Sequence, residues 1–151
     1  MRKIKFKKLV IQDFLSIGKD SLTIDFQSGL NLITGTNIDN PERRNGTGKS
    51  AIIEGFYYAL FGTTIRDIKK EFVINNVTKG KGRIELIFDV ATDTGTNTYK
   101  VIRQLKPSTV ELYQCGDEET DIAKDSIANT NKFINKHLIT IRTTMTQYFI
   151  H

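Results

Sequence analysis

The segment Leu30–Ser50, LNLITGTNIDNPERRNGTGKS, constrains the fold of this chain more than any other. A mostly apolar stretch, Leu30–Thr34, runs straight into Gly35, and Gly46-Thr47-Gly48-Lys49-Ser50 opens an apolar run whose Ile52, Ile53, Phe56, Ala59 and Leu60 recur at helical spacing. Gly62 stands where a helix-terminating glycine belongs. Strand, glycine loop, Lys-Ser, helix is the order of a phosphate-binding loop, G-x-x-x-x-G-K-[ST]. The spacing departs from that pattern: residues 36–47, twelve of them, separate Gly35 from Gly48 where the motif has four.

Each residue type in the loop answers a chemical need. Phosphate oxygens require several backbone N–H groups at close range, and positions without side chains allow that approach. Gly46 and Gly48 supply such positions, Lys49 brings a mobile cation, and the Ser50 hydroxyl stands where a Mg²⁺ ion would sit. The helix that begins there aims its N-terminal amides at the anion. Gly35-Thr36-Asn37 reads as the ordinary opening of the loop and Gly46-Thr47-Gly48-Lys49-Ser50 as its close, with Asn45 and Ala51 as flanking nucleotide-binding candidates, so residues 38–45, IDNPERRN, form an eight-residue excursion. Asn40-Pro41 initiates a turn, and the polar excursion returns Arg43 and Arg44 near the terminal-phosphate end.

The rest of the chain mixes hairpins with this unit. Lys3–Ile11 reads as a strand at a sheet edge, and Leu22, Ile24 and Phe26 alternate as its antiparallel partner. Ile84, Leu86, Phe88 and Val90 alternate before the Asp93–Asn97 turn, and Tyr99, Val101 and Arg103 begin the return strand. Thr109–Gln114 suggests a third strand, and a helical pattern from Asp125 places Ile127, Ile134 and Leu138 on one side. Thr63–Lys81 is basic and irregular. The expectation is an α/β nucleotide core with an added antiparallel layer, in a single domain over residues 1–151.

Composition narrows the function classes. A chain of 151 residues with 38% hydrophobic and 26% charged residues describes a globular domain with its own core. The lone Cys115 and two histidines cannot build a zinc site, and Cys115 reads as a half-buried strand residue. No apolar run approaches the roughly 20 residues of a membrane span, and the basic, alternating start has no signal-peptide h-region. A cytoplasmic location is expected, with no membrane partner. A net charge of +5 is concentrated in Arg2, Lys3, Lys5, Lys7 and Lys8 and in Lys69, Lys70, Lys79, Lys81 and Arg83. Such clusters suit a polyanion, or a merely solvated surface; charge does not decide between them.

The combination of FKKLVIQDFLSIG, LNLITGTN, NGTGKSAIIEGFYYALFG and RDIKKEFVIN resembles the start of the head domain of SbcC/Rad-fifty-type recombination ATPases. These form the SMC-like branch of the ABC-type ATPases, and RDIKKEFVIN is similar to the tailed-phage version, the large subunit of the recombination endonuclease. HLITIRTTMTQYFI resembles the family's approach to its Q-loop. The resemblance covers nearly the whole chain. It implies a P-loop NTPase fold, the N-terminal lobe of a head, with ATP and Mg²⁺ as ligands. By matching position, Asn37, Gly46, Gly48, Lys49 and Ser50 would hold the phosphates, Ser50 would bind Mg²⁺, and Gln147 would complete the metal shell. It further implies a head dimer when complete, double-stranded DNA, and an SbcD-type nuclease subunit as partners.

Two departures accompany the resemblance. The cellular family carries a basic residue just before the Ser-Ile segment of the first loop, where this chain has Leu15; Arg43 or Arg44 is a candidate replacement. The Walker B strand, the signature motif, the D-loop, the switch His and a coiled coil are absent, and the only Asp-Glu, Asp117-Glu118, reads as a turn. ATP hydrolysis would therefore need a C-terminal half of the head, from the same gene or a split one, and no residue of this chain is assigned a catalytic role. Two other readings are a small stand-alone P-loop kinase, for which the hairpin-rich Arg83–Gln114 segment is unsuited, and a DNA-binding or interaction module with a non-hydrolysing nucleotide site.

Overall fold

The computed structural model describes residues 2–34, 42 and 48–138. Six strands form one sheet: β1 (Lys3–Gln12), β2 (Leu22–Asp25), β3 (Arg83–Thr92), β4 (Gly95–Gln104), β5 (Thr109–Cys115) and β6 (Glu119–Asp121). Helix α1 (Lys49–Phe61) lies between β2 and β3 in sequence, with the single turn α2 (Lys70–Val73) after it. Helix α3 (Ile127–Phe133) follows β6 and runs on into a π-helical turn, Ile134–Leu138.

The strand order is β2-β1-β3-β4-β5-β6, and every neighbouring pair is antiparallel. The alternation read in the sequence sets the faces. Leu9, Ile11, Ile84, Leu86, Phe88, Val90, Val101 and Leu112 are all buried on the face that receives α1. Phe6 meets Phe56 of α1 edge-on at 4.3 Å between ring centroids, and Phe26 approaches the same ring at 5.9 Å. Thus β1 and the residue that follows β2 grip the middle of the helix.

Four expectations change. First, β1 is not an edge strand; β2 covers one side of it and β3 the other, with a register shift between Phe6 and Lys8. Second, α1 is buried almost all round, Tyr57, Tyr58 and Phe61 included, because residues beyond Gly62 wrap the side away from the sheet; Ile53 is its least buried apolar residue. Third, Ile127 is exposed at the start of α3, whereas Ile134 is fully buried; Ser126 accepts from the Asn129 N–H at 3.1 Å and sets where the helix begins. The Leu138 side chain lies outside the described residues.

The fourth change concerns Leu30–Thr34, expected as the strand feeding the phosphate loop. It pairs with nothing among the described residues, and Leu30 and Leu32 are 99% and 86% exposed. The amide of Asn31 instead ties down the turn before it, accepting from Gln27 N–H and donating to Gln27 O. A strand needs a neighbour to satisfy its ladder, and none of the six strands lies beside this one. Asp117-Glu118 forms the bend between β5 and β6, as its surroundings in the sequence imply.

The contrast between the two kinds of leucine is measurable. Leu86→Ala, in the sheet core, is expected to cost about 2–5 kcal/mol of unfolding free energy, while Leu32→Ser should change it by less than about 0.5 kcal/mol. Urea denaturation of the two variants checks both.

Candidate functional site: the amino end of helix α1

Gly48 is the N-cap of α1 and holds φ at 84°, a left-handed conformation that glycine adopts freely. No side chain caps this helix and its first turn contains no acidic residue. Beyond the Gly48 carbonyl, which accepts the Ile52 N–H at 3.2 Å, the helix offers its leading amides to an outside acceptor. Most helices fill this place with Ser, Asp or Asn. Left open, it carries about half a positive charge and donors already aimed at one point. Lys49 is half-buried, Ser50 is exposed and Ala51 is buried, so the Lys-Ser pair faces outward from an anchored helix.

The turn after β1 closes one side of this end. Asp13 and Leu15 both hold φ at 50°, which costs a side-chain-bearing residue of order 1–3 kcal/mol each. The segment after α2 supports the conformation. Leu15 N–H donates to Val73 O at 2.7 Å, Asn75 Nδ2 donates to Leu15 O at 2.8 Å, and Thr78 Oγ1 donates to Asp13 Oδ1 at 2.6 Å. This bracing presents Ser16 to the loop: a Cβ added at Gly48 would lie 3.3 Å from Ser16 Oγ. Ser16 also lines a cleft of about 750 Å³, together with Leu15, Phe72, Ile74, Asn75 and Lys79. The cleft therefore begins where the phosphate loop ends.

A second tie runs from α1 itself. Glu54, four residues after Ser50, is buried in an otherwise apolar helix. Its Oε2 accepts the Ile65 N–H and its Oε1 accepts Arg66 Nε, both at 2.7 Å. Thr64, also buried, accepts the Ile68 N–H on its hydroxyl at 2.7 Å. The loop that leads to the cleft wall is thus fastened to the phosphate-loop helix.

Of the residues expected at the site, Gly48, Lys49, Ser50 and Ala51 come together at the start of α1. Gly35, Asn37, Arg43, Arg44, Asn45, Gly46, Thr47 and Gln147 lie outside the described residues. Leu15, noted as a departure, lines the cleft with its backbone pinned on both sides. Glu54 and Asn75 were missed. A single carboxylate inside an apolar helix is a signal for the first; nothing local to the Ile74–Asn76 stretch marks the second.

A glycine-led helix carrying Lys-Ser, joined to an antiparallel sheet, is the arrangement of a P-loop NTPase fold. The chain matches the AAA domain family, AAA_23, over residues 8–151, and it belongs to that family. It is 28% identical over 137 residues to exonuclease subunit 2 of Enterobacteria phage T4, covering 89% of this chain and 22% of that protein. Exonuclease subunit 2 of Escherichia phage RB69 is 29% identical over 113 residues, 74% of this chain and 18% of the relative. The DNA double-strand break repair Rad50 ATPase of Sulfolobus acidocaldarius is 33% identical over 88 residues, 58% of this chain and 9% of the relative. The chain thus spans about a fifth or less of each relative. A solved structure described under ATP-driven dimerisation and DNA-stimulated activation of SMC ATPases shares the fold. Its TM-score is 0.51 at 16% identity, over 93% of this chain and 79% of that one. The SbcC/Rad-fifty resemblance and the P-loop fold expected from the sequence are borne out. Among the described residues no helix is long and apolar enough to cross a membrane.

Glu54→Ala strands the part-buried Ile65 amide and removes a carboxylate that Arg66 also uses; the expected loss is about 1–3 kcal/mol. Arg66→Ala, at a largely exposed side chain, should cost under about 1 kcal/mol. Chemical-denaturation midpoints distinguish the two.

Proposed function

We propose that this chain is the ATP-binding N-terminal lobe of a DNA recombination or repair ATPase. The observation that carries the reading is the amino end of α1, with Gly48 left-handed and no side-chain cap beside Lys49-Ser50. This donor set fits a triphosphate: amides and a lysine for the oxygens, and an exposed hydroxyl for Mg²⁺. The ion, when bound by Ser50 and Gln147, would neutralise charge on the phosphates. Gly35, Asn37, Asn45, Gly46 and Thr47 would supply the rest of the cradle. The cleft behind Ser16 would take the nucleoside end, with Phe72 and Ile74 offering apolar contact.

Turnover and partners belong to a larger assembly. The exposed Leu30, Leu32 and Ile33 support a missing strand neighbour supplied by the C-terminal half of the head, which would also bring Walker B and the signature motif. ATP held between two such heads would close a dimer. Lys69, Lys70, Lys79, Lys81 and Arg83 are exposed, in keeping with double-stranded DNA as a partner. On the sheet, Lys7 pairs with Asp89 at 3.9 Å and Arg83 with Glu85 at 3.1 Å, so part of that charge is already answered. Kinship with exonuclease subunit 2 favours an SbcD-type nuclease as the companion subunit. The stand-alone kinase reading gains nothing, since the Arg83–Gln114 segment is hairpin rather than lid.

Lys49→Ala removes a charged phosphate donor and should weaken Mg–ATP binding by about 10–100-fold. Titration calorimetry showing parent-like affinity in the variant would defeat the nucleotide assignment. In an assembled head, Arg43→Ala/Arg44→Ala is expected to weaken ATP binding by about tenfold; unchanged affinity would leave Leu15 without a replacement.

A further inference from the structure

The carboxyl end of α1 holds a second concentration of donors, about 20 Å along the helix from Gly48. Arg103, on β4, is 3% exposed and lies beneath it. Its Nε donates to Ala59 O at 2.7 Å, its Nη2 to Leu60 O at 3.3 Å and its Nη1 to Asn131 Oδ1 of α3 at 2.7 Å. These are carbonyl acceptors; no carboxylate pairs with this guanidinium among the described residues. Burial accordingly lowers its pKa to about 10, relieved in part only by the nearby Tyr58. The cation is hydrogen-bonded but its charge is not neutralised.

A small pocket opens beside it. Its volume is about 70 Å³, and Lys70, Arg103, Gln104, Ser108, Thr109 and Asn131 are among its lining. That is roughly two water volumes of about 30 Å³ each, room for one tetrahedral oxyanion. No acidic side chain lines it. Two donors converge on the space at Gly62, where an added Cβ would stand 3.1 Å from Arg103 Nη1 and 3.2 Å from Asn131 Nδ2. Asn131 spends its oxygen on Arg103 and leaves the Nδ2 without an acceptor among the described residues. Gly62 holds φ at 72° as the helix C-cap, so the place is kept free of a side chain.

We propose that this pocket is a phosphate-group site. Lys70 and Arg103 supply its charge, Asn131 Nδ2 and the Thr109 hydroxyl supply further donors, Ser108 spends its own proton on Leu105 O at 3.2 Å, and the oxyanion is either free phosphate or a phosphodiester of DNA. It stands at the opposite end of α1 from the nucleotide loop and does not depend on the reading of that loop.

The test uses the whole chain carrying Lys49→Ala, which weakens the amino end of α1 as an anion site, and the pocket variants then separate the two ends. Inorganic phosphate at ten times its dissociation constant is expected to raise Tm by about 3–6 °C over chloride at equal ionic strength. Lys70→Ala should lose most of that response without loss of fold. Asn131→Asp keeps the acceptor for Arg103 but places a carboxylate in the pocket; it should match or exceed the parent Tm in chloride and lose the phosphate response. Absence of a phosphate-specific rise, or an equal rise in both pocket variants, overturns the site. A short DNA duplex added to the same samples separates the sources. Displacement of phosphate from the pocket assigns it to the DNA backbone, and undisturbed phosphate binding assigns it to the free ion.

Discussion

Helix α1 is buried on nearly every side while its N-cap, Gly48, has no side chain to cap the amides of the first turn. Burial fixes the axis; the missing cap leaves its positive end directed outward. The surroundings of this helix serve one or the other condition. Phe6, Phe26 and the sheet core grip the middle, and Glu54 fastens the following loop to its flank. The strained turn at Asp13–Leu15 brings Ser16 against Gly48. At the far end Arg103 answers the last carbonyls. The helix thus places donors for anions at one end and a buried cation at the other.

That arrangement couples parts distant in sequence. Turn 13–18 reaches the phosphate loop only because Asn75 and Thr78 hold it in left-handed conformations, and the segment bearing them is tied back to α1 through Glu54. Strain in the turn is offset by hydrogen bonds whose partners come from 60 or more residues away. Such over-determined conformations are typical of sites where position matters.

The helix that opens at Lys49 was legible because Gly-Lys-Ser before an apolar run marks a helix start in a fixed order, and the hairpins were legible because burial on one face enforces alternation. Leu30–Thr34 was misread for an instructive reason. Its composition is that of a central strand, but a strand is defined by its neighbours, and none stands beside it among the described residues. The edge placement of β1 failed similarly, since pairing with β3 spans some eighty residues and leaves no local mark. Glu54, Asn75 and Arg103 act through tertiary hydrogen bonds; only the oddness of a carboxylate amid Ile53, Gly55 and Phe56 hinted at one of them.

The claim on which the rest turns is that the leading amides of α1 are the phosphate ligands. Backbone amide resonances followed by NMR during titration with Mg–ATP test it most directly. The account predicts that Gly48, Lys49, Ser50 and Ala51 show the largest shifts, with Ser16 and the lining of the neighbouring cleft next. Saturating Mg–ATP that perturbs other parts of the sheet and leaves residues 48–51 unmoved would contradict it.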